Sequence, residues 1–166
     1  FAIFTCEVEA NPLPTTGKCV GIDVGLTHVI TTSEGKKVEA PKHFSKAEKV
    51  LRKAQRRLSR RQKGSKRREK ARVLVAKQHR KIQRQRLDFL HKLSTKLIRN
   101  YDLIAFEDLS LQGLNRGMLA KSFNDVAVGN LTTMLTYKAE YASRQHVKVN
   151  PNFTSRDCSC CGHRSG

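Results

Sequence analysis

The sequence predicts an α/β protein with one mixed sheet, into which a long basic helical hairpin is inserted. Three observations predict it. Residues 18–40 hold short β-type segments separated by glycines, residues 45–100 carry apolar side chains at helical spacing, and residues 102–149 hold two apolar runs around another helical segment. A helical crossover between strands of one sheet favours parallel pairing of those strands.

The first forty residues contain the predicted antiparallel strands. A β-rich, alternating segment at 1–9 is followed by the breakers Asn11 and Pro12, which predicts an edge strand and a connector over residues 1–17. Further strands, separated by Gly25 and Gly35, are predicted at 18–24, 29–32 and 37–40. These three segments predict an antiparallel meander.

Two helices are predicted between residues 45 and 100. Gly64 and Ser65 interrupt the helical pattern and divide it in two, and the second helix continues to about Arg99. The apolar positions at helical spacing are Val50, Leu51, Ala54 and Leu58 in the first helix, and Val75, Ile82, Phe89, Leu93 and Leu97 in the second. The pair is expected to form a long antiparallel hairpin.

The remaining strands flank a third helix. The run from Asp102 to Asp108 is short, nearly continuously apolar and ends in acids, as expected of a buried parallel strand. A helix is predicted over 122–144, and His146 to Val149 gives one more strand. The inward positions of that helix are Val126, Leu131, Leu135 and Ala139. This order of elements fits an RNase H-like α/β layer.

The positive charge is confined to the hairpin. The chain carries 33 Lys and Arg against 14 Asp and Glu, a formal net charge of +19. Residues 42–100 hold 23 of the basic and 3 of the acidic side chains, so the remainder of the chain is nearly neutral. Such an excess is beyond what solubility requires and indicates a polyanionic partner.

Other features exclude several classes of protein. The sequence has no run of about 18 apolar residues and no signal-type segment, so it predicts no membrane span and a reducing cytoplasm as the compartment. Cys158, Cys160 and Cys161 are clustered, which favours zinc over a disulfide framework. Cys6 and Cys19 are expected to be ordinary strand residues.

Two carboxylates stand in predicted strands where a charge needs a reason. Asp23 lies between Gly21 and Gly25 in an apolar strand, and Glu107 ends the apolar run after the hairpin. A buried carboxylate is costly unless it is paired or binds a metal. Two such acids on adjacent strands are therefore candidates for sharing magnesium, and a turn or capping role is the alternative for each.

Such a pair would serve metal-assisted phosphodiester hydrolysis. Two divalent ions about 4 Å apart activate water and stabilise the leaving oxygen while carboxylates hold both. Mg²⁺ prefers oxygen ligands and keeps several waters, so two or three protein carboxylates suffice. Among the other acids, Asp108 is expected to cap the next helix or turn, and Asp102 and Asp125 are expected to be structural.

Three motifs occur in a fixed order from about residue 18 onward. They are Val-Gly-Ile-Asp-Val-Gly-Leu-Thr at 20–27, Ile-Ala-Phe-Glu-Asp-Leu-Ser at 104–110, and the segment 150–163 with its clustered cysteines. They resemble, in order and spacing, the two RuvC motifs and the first zinc knuckle of the transposon-encoded TnpB family. A Gly-Ile-Asp-x-Gly strand also opens actin-like ATPases and sugar kinases, but their second glycine-rich phosphate loop is absent from the sequence.

By this resemblance, Asp23 and Glu107 are the first two catalytic carboxylates of a RuvC-like nuclease domain over 18–153, and residues 1–17 end an amino-terminal strand module. The resemblance implies a Mg²⁺-dependent DNA endonuclease whose partners are a guide RNA and target DNA. In the family a third aspartate follows the zinc ribbon, beyond residue 166. The alternatives are a remnant that binds nucleic acid without cutting it, and a recombinase-like transposase, for which no motif is found.

Residues 154–166 resemble the first half of a zinc ribbon. Cys158 and Cys161 form a Cys-x-x-Cys followed by glycine, a turn that lets two thiolates reach one Zn²⁺. Structural zinc takes four ligands, and the family places the second pair further along the chain. Cys160 is not expected to be a ligand, and His163 is expected to be exposed.

Basic side chains recur densely along both predicted hairpin helices. A nucleic-acid backbone that neutralises such a surface releases counterions, which gives affinity without sequence information. A merely solvated helix face would mix the two signs of charge. No aromatic residue lies between residues 45 and 88, so base stacking is not expected to be the main mode of binding. The candidate contacts are Arg52, Lys53, Arg56, Arg57, Arg60, Arg61, Lys66, Arg67, Arg68 and Arg72.

Overall fold

The computed structural model divides the chain into two compact units. The sheet unit comprises Phe1–Val38 and Ser94–Gly166, and the hairpin unit comprises Glu39–Leu93. The structure describes residues 4–7, 9–24, 28–39, 41, 43–107, 123–150, 160, 161, 163 and 164, and at 43–45 and 123–128 it describes the backbone alone. Among the described helices, none is both long and apolar enough to cross a membrane.

The sheet unit is built on five strands. They are β1 (Cys19–Asp23), β2 (Ile30–Thr32), β3 (Lys37–Val38), β4 (Leu103–Glu107) and β5 (Gln145–Val149). Their order across the sheet is β3-β2-β1-β4-β5. β1, β2 and β3 pair antiparallel, while β4 pairs parallel with both β1 and β5. The predicted meander and the predicted parallel strands are therefore confirmed.

Alternation along the strands gives the sheet a core face and an open face. Val20 and Ile22 of β1 lie beside Ile104 and Phe106 of β4, and all four are at most 4% exposed. The residues between them point the other way and are half-buried or exposed. Because side chains alternate along a strand, every odd-numbered position of β1 and β4, including Asp23, lies on the open face.

Two helical segments complete the core of the sheet unit. The third helix, α3 (Phe123–Tyr141), buries Leu131, Leu135 and Ala139, as its helical spacing predicts. Leu97 and Ile98, in the last turns of the helix that precedes β4, are also buried. Lys138 of α3 donates to the hydroxyls of Ser94 and Thr95, each at 2.8 Å, and burial lowers the pKa of this lysine.

The amino-terminal segment differs from its prediction. No strand is found at the described residues 4–7 and 9, and the Phe4 side chain is 82% exposed. The sequence of this segment does alternate as in a strand. A strand, however, also needs a neighbouring strand to which its backbone can hydrogen-bond, and these residues pair with none of the described strands. Cys6 is therefore not a strand residue, whereas Cys19 begins β1 and is exposed.

The connector after this segment is fixed by Asp102 and Arg144. Asp102 accepts hydrogen bonds from the backbone of Thr16 and Gly17, the latter at 2.6 Å. The Arg144 side chain, 2% exposed, pairs with Asp102 and donates to the carbonyls of Ile98 (3.3 Å) and Pro14 (2.6 Å). Asp102 is thus structural, as predicted.

The Asp102 network makes part of the stability depend on pH. The Thr16 backbone hydrogen bond, with help from Gly17 and the Arg144 charge, lowers the pKa of Asp102 below its ordinary value of 3.8. The folded state therefore binds the proton less tightly than the unfolded chain does. The stabilisation is present above about pH 4 and is lost as the pH falls through the lowered pKa.

Arg144→Met is expected to lower the free energy of unfolding of the chain by about 2 kcal/mol, because it leaves the carbonyls of Ile98 and Pro14 without their buried donor. Urea denaturation at pH 7 measures this change. The matched control is Arg99→Met, at an exposed position near the end of the helix that precedes β4, which should cost less than about 0.5 kcal/mol. Equal losses in the two variants would contradict the structural role given to Arg144.

The hairpin unit contains α1 (His43–Ser59) and the larger part of α2 (Lys66–Asn100), which continues into the sheet unit. Gly64 adopts a φ of 81°, and the Ser65 hydroxyl caps α2 by accepting the Arg68 backbone N–H at 3.1 Å. Arg86 of α2 donates to Glu48 of α1 at 3.1 Å.

The two helices run antiparallel, as predicted. Gln55 of α1 lies 3.4 Å from His79 of α2, between the Glu48–Arg86 pair and the turn. Nearer the turn, the Arg68 guanidinium donates to the Leu58 carbonyl at 3.1 Å. Rising numbers on α2 therefore meet falling numbers on α1, which confirms the helical hairpin.

Candidate active site and nucleic-acid interface

Asp23 and Glu107 end two neighbouring parallel strands of the sheet unit. The β1–β4 register runs from Cys19 beside Leu103 to Ile22 beside Phe106, so the next residues on each strand are the two acids. Asp23 is exposed and Glu107 is half-buried. The structure thus brings together the two carboxylates that the sequence selects as candidates.

The two acids line one shallow cleft of about 330 Å³ on the open face of the sheet. Its lining residues are Gly21, Ile22, Asp23, Thr31, Thr32, Ser33, Ala105, Phe106, Glu107 and Val149. Gly21 and Ala105 keep the floor low between the strands. The cleft is therefore open to a large substrate and carries its negative charge at one end of β1 and β4.

The hydroxyls of Thr31 and Ser33 in this cleft are not among the site residues predicted from the sequence. Thr31 lies directly opposite Asp23 in the β1–β2 ladder, and Ser33 exchanges backbone and side-chain hydrogen bonds with Gly21. Read along the sequence, both residues look like ordinary strand or turn residues. The two residues are spaced by two along the chain, so they lie on the same face of the sheet. That this face is the one that carries Asp23 follows only from the register with β1.

The side-chain atoms in the cleft that could bind a metal are hard oxygen atoms, the ligand type that Mg²⁺ prefers. Asp23 and Glu107 would be the residues to hold such an ion. Within the described part of the chain, no group of three or more His, Cys, Asp or Glu side chains is placed to hold a metal. Asp108 lies outside the described residues, as does the side chain of Asp125.

The hairpin unit carries a second, larger cleft of about 690 Å³. It is lined by Val50, Lys53, Ala54, Arg56, Arg57, Arg60, Arg61, Ala71 and Leu74. Its floor is apolar, and its rim consists of five basic side chains with no acid. Lys53, Arg56, Arg57 and Arg60 recur at helical spacing, so they form one stripe along α1.

The acids of the hairpin unit do not neutralise this stripe. Glu48 pairs with Arg86, Glu69 with Arg72 at 2.6 Å, and Asp88 with Lys92 at 2.8 Å. These three are the acids among residues 42–100. The basic side chains of the stripe therefore have no acidic partner among the described residues of this unit.

Two of the ten predicted basic contacts have structural partners. Arg68 donates to the carbonyls of Leu58 and Arg61 and so satisfies the carboxyl end of α1. Arg72 forms an exposed pair with Glu69, which raises the pKa of Arg72. For the other eight basic side chains the structure shows no such bond among the described residues.

The cysteine motif is described only in part. Cys160 and Cys161 are exposed and form no disulfide. His163 is exposed, which agrees with the prediction for this residue. Cys158, the other predicted zinc ligand, lies outside the described residues.

Comparison with curated proteins finds two relatives. A Streptomyces pristinaespiralis protein named "Putative RNA-guided DNA endonuclease" is 42% identical over 164 residues, which are 98% of this chain and 41% of the relative. "Putative RNA-guided DNA endonuclease InsQ" from Escherichia coli (strain K12) is 29% identical over 178 residues, 98% of this chain and 44% of the relative. The chain therefore spans about two fifths of the length of these relatives.

Comparison with solved structures and family models agrees. A chain of the "Cryo-EM structure of the Cas12f1-sgRNA-target DNA complex" matches with a TM-score of 0.60 and 16% identity, over 93% of this chain and 41% of that chain, which shows a shared fold. Residues 129–166 match the model "Cas12f1-like, TNB domain", and residues 3–117 match the model "Probable transposase". Since the latter covers more than half of the sequence, the chain belongs to the probable-transposase family, the TnpB family that its motifs resemble.

Proposed function

We propose that this chain forms the RuvC-like part of a transposon-encoded, RNA-guided DNA endonuclease. The observation that carries the proposal is the meeting of Asp23 and Glu107 at the ends of adjacent parallel strands, in one open cleft. The names of the two relatives support the same activity. The three antiparallel strands followed by two parallel ones, with helical crossovers, support an RNase H-like layer.

The proposed chemistry is hydrolysis of a DNA phosphodiester. Mg²⁺, when bound, would supply a nucleophile from water and stabilise the developing charge on the leaving oxygen. Asp23 and Glu107 would hold it from neighbouring strands, and the rigid β1–β4 ladder fixes their separation. The open cleft admits a nucleic-acid strand, because Gly21 and Ala105 present almost no side chain.

The proposed binding surface is the basic stripe of α1 with its continuation on α2. Lys and Arg side chains without acidic partners gain most from a polyanion, since binding releases counterions and relieves their mutual repulsion. A guide RNA, alone or paired with target DNA, fits this chemistry. The eight proposed contacts are Arg52, Lys53, Arg56, Arg57, Arg60, Arg61, Lys66 and Arg67, and Arg68 and Arg72 would contribute only after giving up their present bonds.

The decisive experiment compares the 166-residue chain with a form extended beyond residue 166, here called the extended protein, each prepared with its RNA. The extended protein is expected to cut a target plasmid when magnesium is present, and the 166-residue chain is expected to bind RNA without cutting. The reason is the third carboxylate that the family places beyond this segment. If neither form cuts while both bind RNA in a salt-sensitive way, the nuclease proposal is wrong and the protein is a remnant that binds nucleic acid without cutting it.

Zinc is the second proposed metal. In the extended protein, Cys158→Ser or Cys161→Ser is expected to lower the bound zinc from about one equivalent to nearly none, because a four-ligand site that loses one thiolate binds weakly. Elemental analysis after gel filtration measures the zinc content. The matched control is Cys160→Ser, which should retain zinc. Loss of zinc in the control alone would show that the ligands were assigned wrongly.

A further inference from the structure

Strand β2 and the residue after it supply one wall of the acidic cleft. Thr31 is the direct cross-strand partner of Asp23, and the Ser33 backbone N–H donates to the Gly21 carbonyl at 2.8 Å. Directly opposed residues of an antiparallel pair project to the same face, with their Cβ atoms about 4.5–5.5 Å apart. Thr31 therefore stands beside Asp23, whereas Ser33 stands beside Gly21, two residues before Asp23 on β1, and both residues line the cleft.

The two hydroxyls are available as donors. Ser33 Oγ accepts the Gly21 backbone N–H at 3.1 Å, which fixes the oxygen and leaves its own O–H to donate. The Thr31 side chain is half-buried, and its hydroxyl has no hydrogen-bond partner in the part of the chain that the structure describes. By contrast, Thr32 between them points to the core face and accepts the Lys36 N–H at 3.2 Å.

No basic side chain is among the described residues that line this cleft. A phosphodiester entering it brings a negative charge beside two carboxylates, so its non-bridging oxygens need hydrogen-bond donors. A lysine or arginine in this cleft would form ion pairs with Asp23 and Glu107. A hydroxyl group can donate a hydrogen bond to the phosphate without forming such an ion pair.

We propose that the hydroxyls of Thr31 and Ser33 donate hydrogen bonds to the non-bridging oxygens of the DNA phosphate that is cut. They would orient that phosphate against the carboxylate pair and stabilise the charge that develops on it. This inference rests on the proposed nuclease function. It adds two substrate contacts that neither the motifs nor the comparisons assign.

The test is the double variant Thr31→Val and Ser33→Ala in the extended, RNA-loaded protein. Single-turnover cleavage is expected to slow by about 10- to 100-fold, the effect of removing donors from a charged transition state, while target binding stays unchanged. The matched control is Thr31→Ser with Ser33→Thr, which keeps both hydroxyls and exchanges only a methyl group. It should restore most of the cleavage rate that the double variant loses.

A phosphorothioate target separates a phosphate contact from a structural role. Sulfur at the contacted non-bridging position accepts hydrogen bonds poorly, so it should slow the parent more than it slows the double variant, which already lacks the donors. If the Ser33–Gly21 bond merely holds β1 and β2 together, the slowing caused by sulfur is the same in both proteins, and the inference is overturned.

The failure of this inference can be told apart from that of the proposed function. An extended protein that does not cut, or whose Asp23→Asn variant cuts at the parent rate, overturns both. A parent that cuts, an Asp23→Asn variant that does not, and a Thr31→Val/Ser33→Ala variant at the parent rate overturn only the hydroxyl contact. If the Thr31→Ser/Ser33→Thr control cuts as slowly as the Thr31→Val/Ser33→Ala variant, the hydroxyl contact alone is likewise overturned.

Discussion

Asp23→Asn and Glu107→Gln are each expected to reduce DNA cleavage by the extended, RNA-loaded protein on the order of 10³-fold. A metal held at a developing negative charge contributes several kcal/mol to the transition state, and each 1.36 kcal/mol is tenfold in rate. The amide keeps the size of the side chain but removes the charge that holds the metal. Single-turnover cleavage at saturating protein measures the loss, and filter binding of the target shows whether the complex still forms.

The fold should survive both substitutions. Asp23 is exposed and Glu107 is half-buried at the end of β4, while the strand pairing depends on their backbone and on the apolar face beneath. Glu140→Gln, which makes the same change at an exposed position of α3, is the control and should cut at the parent rate. Unimpaired cleavage in either Asp23→Asn or Glu107→Gln would show that the carboxylate is not part of the active site.

The sheet could be predicted because its signals are local. Val20 and Ile22 alternate with small or charged residues, and the run ending at Glu107 is apolar and bounded, so strand type and position follow from the pattern. The meeting of Asp23 and Glu107 follows from one more step. Parallel neighbours end at the same edge of a sheet, so acids at the ends of β1 and β4 must be close.

What escaped prediction depends on partners distant in sequence. The alternating segment near Phe4 has strand-like composition, yet in the described residues it has no strand beside it. Thr31 gains its place in the cleft only through its register with Asp23. Arg68 looks like any other basic residue of the hairpin, but the turn at Gly64 brings its guanidinium to the carbonyls of Leu58, in the last turn of α1, and of Arg61, just after it.

Replacing the three exposed arginines Arg56, Arg57 and Arg60 by glutamine is expected to weaken guide-RNA binding on the order of 10²- to 10³-fold at about 50 mM salt. Glutamine is a good helix former, so α1 should persist without the charge. Each phosphate that the protein no longer neutralises also removes about 0.7 to 0.9 from the slope of log affinity against log salt. Fluorescence anisotropy of labelled RNA over a salt series gives both quantities.

The expected loss of RNA affinity is attributed to the position of the three arginines and not to the net charge of the protein. A matched variant distinguishes the two causes. Lys18, Lys37 and Lys96 are exposed lysines of the sheet unit, and changing them to glutamine removes the same three charges. If RNA is held by the general field of the protein, both triple variants lose affinity and slope equally. If it lies along the α1 stripe, only the arginine variant loses about two to three units of slope, because counterions are released where phosphates and cations meet.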